Sequence, residues 1–252
     1  MTGSLTVVGL GPGDAGLLTE SARRALDAAE DLVGYVPYVA RVPERPGLVR
    51  HASDNRVEID RARHALELAA SGRRVAVVSG GDPGVFAMAA AVFEAVEHGE
   101  PGWRDLTITV EPGITAMLAA AARLGAPLGG DFCALSLSDN LKPWPVVTAR
   151  LEAVLRADLV VALYNPISSA RPWQLGAAFE IAAGIRAPET PVIFARAVSR
   201  PDEAIRVTTL AEASHAPADM ATVVILGASG TRLIPRAGKA PYVYTLRSVA
   251  AV

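Results

Sequence analysis

The chain has 252 residues, 51% of them hydrophobic, with 24 basic and 26 acidic side chains and a formal net charge of −2. That length supports a sizeable core in one large or two small domains, and the near balance of charge excludes a generic nucleic-acid binder, which is basic overall. A single cysteine, Cys133, excludes a disulfide framework and a cysteine-based metal cluster and suits the reducing cytoplasm. The amino terminus has no basic stretch ahead of an apolar one, unlike a signal peptide. No apolar run approaches the roughly 20 residues of a membrane span.

Residues 5–10, LTVVGL, read as a first strand, broken by Gly11, Pro12, Gly13 and Asp14. An alanine-rich helix follows over 19–29. Gly11, Gly13 and Gly16 formally satisfy GxGxxG, the mark of a nicotinamide or flavin site. Pro12 argues against it, because it removes a backbone N–H where phosphate needs one. The next strand, 32–35, also offers no carboxylate at its end for a ribose. Residues 36–56 read as irregular, with Pro37, Pro43 and Pro46 among Arg41, Arg45, Arg50 and Arg56. They form either a solvated loop or one that faces a substrate. Residues 60–70 have helical spacing of Ala62, Ala65, Leu66 and Ala69.

Residues 75–78, VAVV, are a buried parallel strand, and Ser79, Gly80, Gly81, Asp82, Pro83 and Gly84 turn it into a helix over 85–96. A strand leading through glycines into a helix presents ligands at the carboxyl end of an α/β sheet. Two glycines in a row allow close approach to backbone. Taken alone, the same turn serves equally as a plain connection. A strand at 106–110 then enters a helix ending near Arg123 through Glu111, Pro112, Gly113, Ile114 and Thr115. Strand and helix repeat, which predicts a parallel sheet.

Glycine and proline cluster over 124–131 and predict a boundary between an α/β domain at 1–123 and a second at 124–252. The second half reads as strands at 132–137, 159–164, 191–195, 205–208, 222–226 and 242–246, with helices at 146–156 and 173–186. Its last strands lack long helices between them, so its sheet is mixed. There is no GxxxxGK[ST] phosphate loop and no GxSxG nucleophile elbow. His51, His64, His98 and His215 lack ligand spacing, so no metal site is expected. Cys133 reads as a small core residue.

VVGLGPGDAGLLT (7–19), SGGDPGVF (79–86), EPGITA (111–116) and ALYNP (162–166), in this order, resemble the tetrapyrrole (corrin/porphyrin) methylase family over essentially the whole chain. The resemblance implies methyl transfer from S-adenosylmethionine in cobalamin or siroheme biosynthesis, with S-adenosylhomocysteine as product. It further implies two α/β domains of the class III methyltransferase kind, an active-site cleft between them, and a homodimer. GYVPYV (34–39), SDNR (53–56), LSLSDNLKPW (135–144) and YNPISSARPWQL (164–175) are most similar to the ring-contracting branch. That branch methylates carbon 17 of precorrin-3B and yields precorrin-4; another corrin methylation, including the cobalt-containing equivalent, is the alternative within the family. Siroheme-type relatives carry an Asp where Val36 stands here, which argues against their role.

By the same resemblance, cofactor contacts fall on Pro12, Gly80, Gly81, Asp82, Val85, Phe86, Thr115, Ala116, Leu163, Tyr164, Asn165, Ala197, Val198 and Thr222. Substrate carboxylates are assigned to Arg41, Arg56, Lys142 and Arg171. Acid–base candidates for ring contraction are Asp14, Tyr35, His51 and Asp139, beside Asp54, Ser138 and Lys142. The partner is a small-molecule tetrapyrrole, with no nucleic acid and no membrane. A nicotinamide-dependent oxidoreductase is the rival from a different class.

Overall fold

The computed structural model describes residues 3–54, 57–215 and 217–248. The chain divides into two compact units, Met1–Thr115 and Ala116–Val252.

The first unit is built on β1 (Ser4–Gly9), β2 (Asp31–Tyr35), β3 (Val49–Ser53), β4 (Arg74–Ser79) and β5 (Thr107–Glu111), with α1 (Glu20–Ala28), α2 (Val36–Val39), α3 (Glu58–Ala70) and α4 (Met88–His98). All five strands are parallel, in the order β3-β2-β4-β1-β5. Alternation along each strand sends successive side chains to opposite faces. Leu5, Val7, Val33, Val75 and Val77 meet α3 and α4 on one face. Val8, Leu32, Ala76 and Val78 meet α1 and α2 on the other. Both faces are covered, which is why the central strands read as continuous apolar runs. Thr19 starts α1 by accepting the Ala22 N–H (3.2 Å) at its side-chain oxygen.

Strand β3 lies inside the segment expected to be irregular. VRHAS pairs on one side only, with β2, and an edge strand needs no continuous apolar run. The helix expected from residue 85 starts at Met88, because Phe86 takes a φ of +52° and Ala87 is extended.

The second unit opens with α5 (Ala116–Leu124), so the glycine-rich stretch 124–131 follows a helix that belongs to this unit. Its elements are β6 (Gly125–Ala126), β7 (Phe132–Ser136), α6 (Trp144–Arg156), β8 (Val160–Tyr164), α7 (Gln174–Ala183), β9 (Pro191–Arg196), β10 (Ala204–Thr209), β11 (Thr222–Leu226), β12 (Thr231–Arg236) and β13 (Lys239–Thr245). A mixed five-stranded sheet runs β10-β9-β11-β8-β7, with β7 and β8 parallel and β11 antiparallel to both β8 and β9. Leu137, Val161, Leu163, Phe194, Val224 and Leu226 pack on α6 and α7, while α5 packs against β11 and β13. Strand β13, expected in the mixed sheet, belongs instead to a small sheet ordered β12-β13-β6. A two-residue turn with Gly238 at φ +65° closes the β12–β13 hairpin and fixes that pairing.

Candidate functional site

In the first unit, β1 and β4 are neighbours whose connections leave on opposite faces, through α1 and α4. The carboxyl edge of an open α/β sheet binds ligands at such a reversal. Three turns meet there. Gly11 and Gly81 exchange backbone hydrogen bonds (3.1 and 3.0 Å). Gly113 of the turn after β5 lies so close that a Cβ there would sit 2.1 Å from the Gly81 carbonyl oxygen. A Cβ on Gly80 would meet the Tyr38 ring at 2.8 Å. The Asp82 carboxylate accepts the N–H of Gly84 (2.8 Å) with one oxygen and that of Gly113 (3.0 Å) with the other. Asp82 therefore ties the β4 turn to the β5 turn. Phe86, in the left-handed region, leaves half its side chain exposed. Pro12 is buried beside Gly11, and Val85 is half-buried.

In the second unit, β7, β8 and β9 end on one edge, which the amino end of β11 shares through the pairing of Thr222 with Arg196. This brings together Leu163, Tyr164, Asn165, Ala197, Val198 and Thr222. The Tyr164 hydroxyl accepts the Met117 N–H (3.0 Å) at the start of α5, next to Ala116. Asn165 has φ +51° and donates to the Ser136 hydroxyl (2.9 Å). Ala197 has φ +48° and Ser199 +65°. Left-handed backbone at non-glycine residues is costly and gathers at functional sites. Here Phe86, Asn165 and Ala197 all fall among the expected cofactor contacts. Leu163 turns its side chain into the core, so only its backbone is available to a ligand. Thr222 is buried, and its hydroxyl donates to Asp219 (2.9 Å). Burial alone would raise the Asp219 carboxyl; hydrogen bonds from Arg196, Thr222 and the Ala221 N–H hold it below its ordinary value. Thr115, also buried, ends the first unit.

Arg41, assigned to substrate carboxylates, and its neighbours Arg45 and Arg50 donate to backbone carbonyls. Arg41 donates to the carbonyls of Leu10 (2.6 Å) and Gly11 (3.1 Å). Arg45 donates to Leu26 and Ala29, and Arg50 to Val42. These carbonyls lie in the turn after β1 (Leu10, Gly11), at the end of α1 (Leu26, Ala29) and in the segment itself (Val42), so the guanidinium groups tie the segment to its neighbours. Arg171 is buried, donating to the Asn165 carbonyl (3.2 Å) and lying 4.0 Å from Asp139. It braces the turn after β8. Arg56 lies outside the described residues. Lys142 is half-buried, and burial, followed by the charge of Arg150, pushes its ammonium below the usual value.

Among the acid–base candidates, Asp14 caps the short turn Ala15–Leu17 by accepting the Gly16 N–H (2.7 Å). Asp139 accepts from Gln174 (3.2 Å). Ser138 donates its N–H to Ser136 (3.3 Å). Tyr35 ends β2 and stacks edge-on with Tyr38, their centroids 5.5 Å apart. His51 points the other way: its Nε2 bonds Asp31 (2.9 Å) at the amino end of β2, and its Nδ1 meets His64 (3.0 Å). Burial alone would raise the Asp31 carboxyl; Arg73, then His51, hold it below the ordinary range. His51 therefore belongs to an ion-pair cluster away from the carboxyl edge. Tyr38, Gly113 and Ser136 shape the turns without being among the expected site residues, although each lies in a motif of the sequence (GYVPYV, EPGITA and LSLSDNLKPW). Among the described residues, no group of three His, Cys, Asp or Glu side chains could hold a metal. No helix there is long and apolar enough to cross a membrane.

Residues 4–214 match the model of the tetrapyrrole (corrin/porphyrin) methylases. The chain belongs to that family. This methylase is 56% identical, over 98% of its length and 97% of the other chain, to the precorrin-3B C(17)-methyltransferase of a Sinorhizobium species. It is 40% identical, over 96% of its length and all of the other chain, to the probable cobalt-factor III C(17)-methyltransferase of Salmonella typhimurium. Its fold matches the crystal structure of the methyltransferase CobJ with a TM-score of 0.90 and 53% identity, covering 97% of this chain and all of that one. The glycine-lined edge that no side chain could share thus belongs to a methylase fold, and the formal GxGxxG is a structural turn paired to Gly81.

Proposed function

We propose that the protein transfers a methyl group from S-adenosylmethionine to carbon 17 of precorrin-3B, in cobalamin biosynthesis, with contraction of the ring to precorrin-4. The observation that carries this reading is the 56% identity, over nearly the whole of both chains, to a precorrin-3B C(17)-methyltransferase. The lower identity to the cobalt-factor III relative favours the metal-free substrate over the cobalt-loaded one.

The cofactor, when bound, supplies a methyl group on a sulfonium with a good leaving group. The chain's own work is to hold the reactants in line and keep water out. The Gly80–Gly81 turn, shaped by Tyr38, Gly11 and Gly113, presents its backbone to the methionine portion, with Val85 and Phe86 next in sequence. Backbone carbonyls of that turn or the Asp82 carboxylate, whose two oxygens each take one N–H and keep further lone pairs, accept from an ammonium group. In the second unit, Tyr164, Asn165, Ala197 and Val198 offer backbone partners and apolar walls to the adenosine portion, with Ala116, Leu163 and Thr222 beside them. In the first unit, Pro12 and Thr115 are the further cofactor contacts that the family resemblance implies. For ring contraction, Lys142, whose ammonium burial and the charge of Arg150 hold below its usual value, is one acid–base candidate. Asp139, Tyr35 and Asp14 are the remaining acid–base candidates. The reading carries with it a homodimer working in the cytoplasm, as the family resemblance implies.

The rival reading, nicotinamide binding, needs free N–H groups after β1. Pro12 has none, and Gly11 donates to Gly81. Calorimetry with S-adenosylhomocysteine and NADH separates the two. Saturable binding of the first and none of the second is expected; the reverse would overturn the methylase reading.

A further inference from the structure

Arg61 lies on the buried stripe of α3, in line with Ala65 and Ala69, and is 5% exposed. A charged residue at helical spacing on an alanine face is out of place unless it has a partner. Its partners are all neutral: Nε donates to the Ser53 hydroxyl (2.8 Å), Nη2 to the Asp54 carbonyl (2.6 Å), and Nη1 approaches the Met88 sulfur (3.4 Å). Among the described residues, no carboxylate forms an ion pair with it. Burial pushes its pKa down, opposed by the charge of Glu58 and more weakly by Tyr38 and Tyr35. An arginine nevertheless stays charged in a protein. Burying a cation without a carboxylate is unfavourable, and an apolar side chain would fill the same space at less cost.

The place of this cation is informative. Ser53 ends β3 and Asp54 follows it, at the carboxyl edge of the sheet. Met88 opens α4 directly after the β4 turn. Tyr38 packs over Gly80 of that turn. Arg61 thus holds the end of β3 to the start of α4 and sets under the edge a positive charge that meets the field of Glu58 but, among the described residues, no ion-pair partner.

We propose that Arg61 is a positioning residue for the substrate: it fixes the end of β3 against α4, and its charge, which no ion pair among the described residues neutralises, favours a carboxylate-bearing macrocycle at that edge. The inference rests on the proposed methylation of a corrin precursor. The guanidinium is needed twice, for its fork of donors and for its charge. Arg61→Lys keeps the charge but cannot reach three acceptors from one rigid plane. Arg61→Met keeps the bulk and loses the charge.

Steady-state methyl transfer with both variants tests this, varying precorrin-3B and S-adenosylmethionine in turn. The Michaelis constant for the tetrapyrrole is expected to rise more than tenfold in Arg61→Met and more than threefold in Arg61→Lys, while that for the cofactor stays within twofold. Added salt should weaken kcat/KM less in Arg61→Met than in the wild type. A tetrapyrrole constant raised less than threefold in Arg61→Lys, or both constants rising together, overturns the inference. If Arg61→Met does not fold, Arg61→Lys decides by the same split. No turnover by the wild type would instead overturn the methylase reading on which the inference stands.

Discussion

Gly113→Ala is expected to lower the melting temperature by roughly 6–12 °C and to abolish detectable S-adenosylhomocysteine binding. The cause is steric. A Cβ at this position would lie 2.1 Å from the Gly81 carbonyl oxygen and 3.0 Å from the Cα and carbonyl carbon of Gly9. All three neighbours are backbone, so no rotamer change relieves the clash; the β4 and β5 turns must separate. Overpacking of this kind costs about 3 kcal/mol at the upper end, and each kcal/mol moves the midpoint of a chain this size by roughly 2–4 °C. Separation also breaks the Asp82 bond to the Gly113 N–H. The control is Gly102→Ala, where an added Cβ meets nothing within 4 Å, and which should leave stability within about 0.5 kcal/mol of the wild type. Differential scanning calorimetry on the two variants decides the matter. A Gly113→Ala protein that melts with the wild type would mean the three turns are not in contact.

The second large effect is expected from Asp82→Ala. The carboxylate accepts two backbone N–H groups, one in its own turn and one in the turn after β5. Each is a hydrogen bond to a charged acceptor, contributing about 1.5–3 kcal/mol. Without them the β4 turn is free to leave the shape that Gly80 and Gly81 give it. Affinity for S-adenosylhomocysteine should fall by about a hundredfold, which corresponds to about 2.7 kcal/mol. Asp82→Asn retains one acceptor oxygen and turns an amide N–H₂ toward the other donor, so it should fall between the wild type and Asp82→Ala. Titration calorimetry on the three proteins reads the series. Full affinity in Asp82→Ala would remove the brace from the account. Loss of affinity with unchanged thermal stability would return Asp82 to direct contact with the ligand.

The parallel sheet of the first unit was legible because its central strands are buried on both faces and carry unbroken apolar runs, as in VAVV at 75–78. Strand β3 was not, since an edge strand with one covered side has no such run. The glycine turns were legible as places of close approach. What approaches them was only half visible: Gly113 and Gly81 are crowded by each other's backbone, a contact between residues far apart in sequence. The arginines of 41–50 left two readings open for a related reason. A guanidinium that serves a substrate carboxylate and one that satisfies stray carbonyls look alike in a sequence, and only the positions of Leu10, Gly11, Leu26, Ala29 and Val42 separate them. His51 fell among the acid–base candidates by residue type, but a strand residue two positions from the register partner of Asp31 points back toward it. Arg61 carried a usable signal: an arginine at i, i+4, i+8 spacing with Ala65 and Ala69.

The central claim is methyl transfer to a corrin precursor coupled to ring contraction. It is tested most directly by incubating the purified protein with S-adenosylmethionine bearing an isotopically labelled methyl group and enzymatically generated precorrin-3B. The tetrapyrrole is then read by mass spectrometry and absorbance. One labelled methyl in the macrocycle with a changed chromophore is the predicted result. A protein that binds S-adenosylhomocysteine yet leaves both metal-free and cobalt-loaded substrates unlabelled would contradict it.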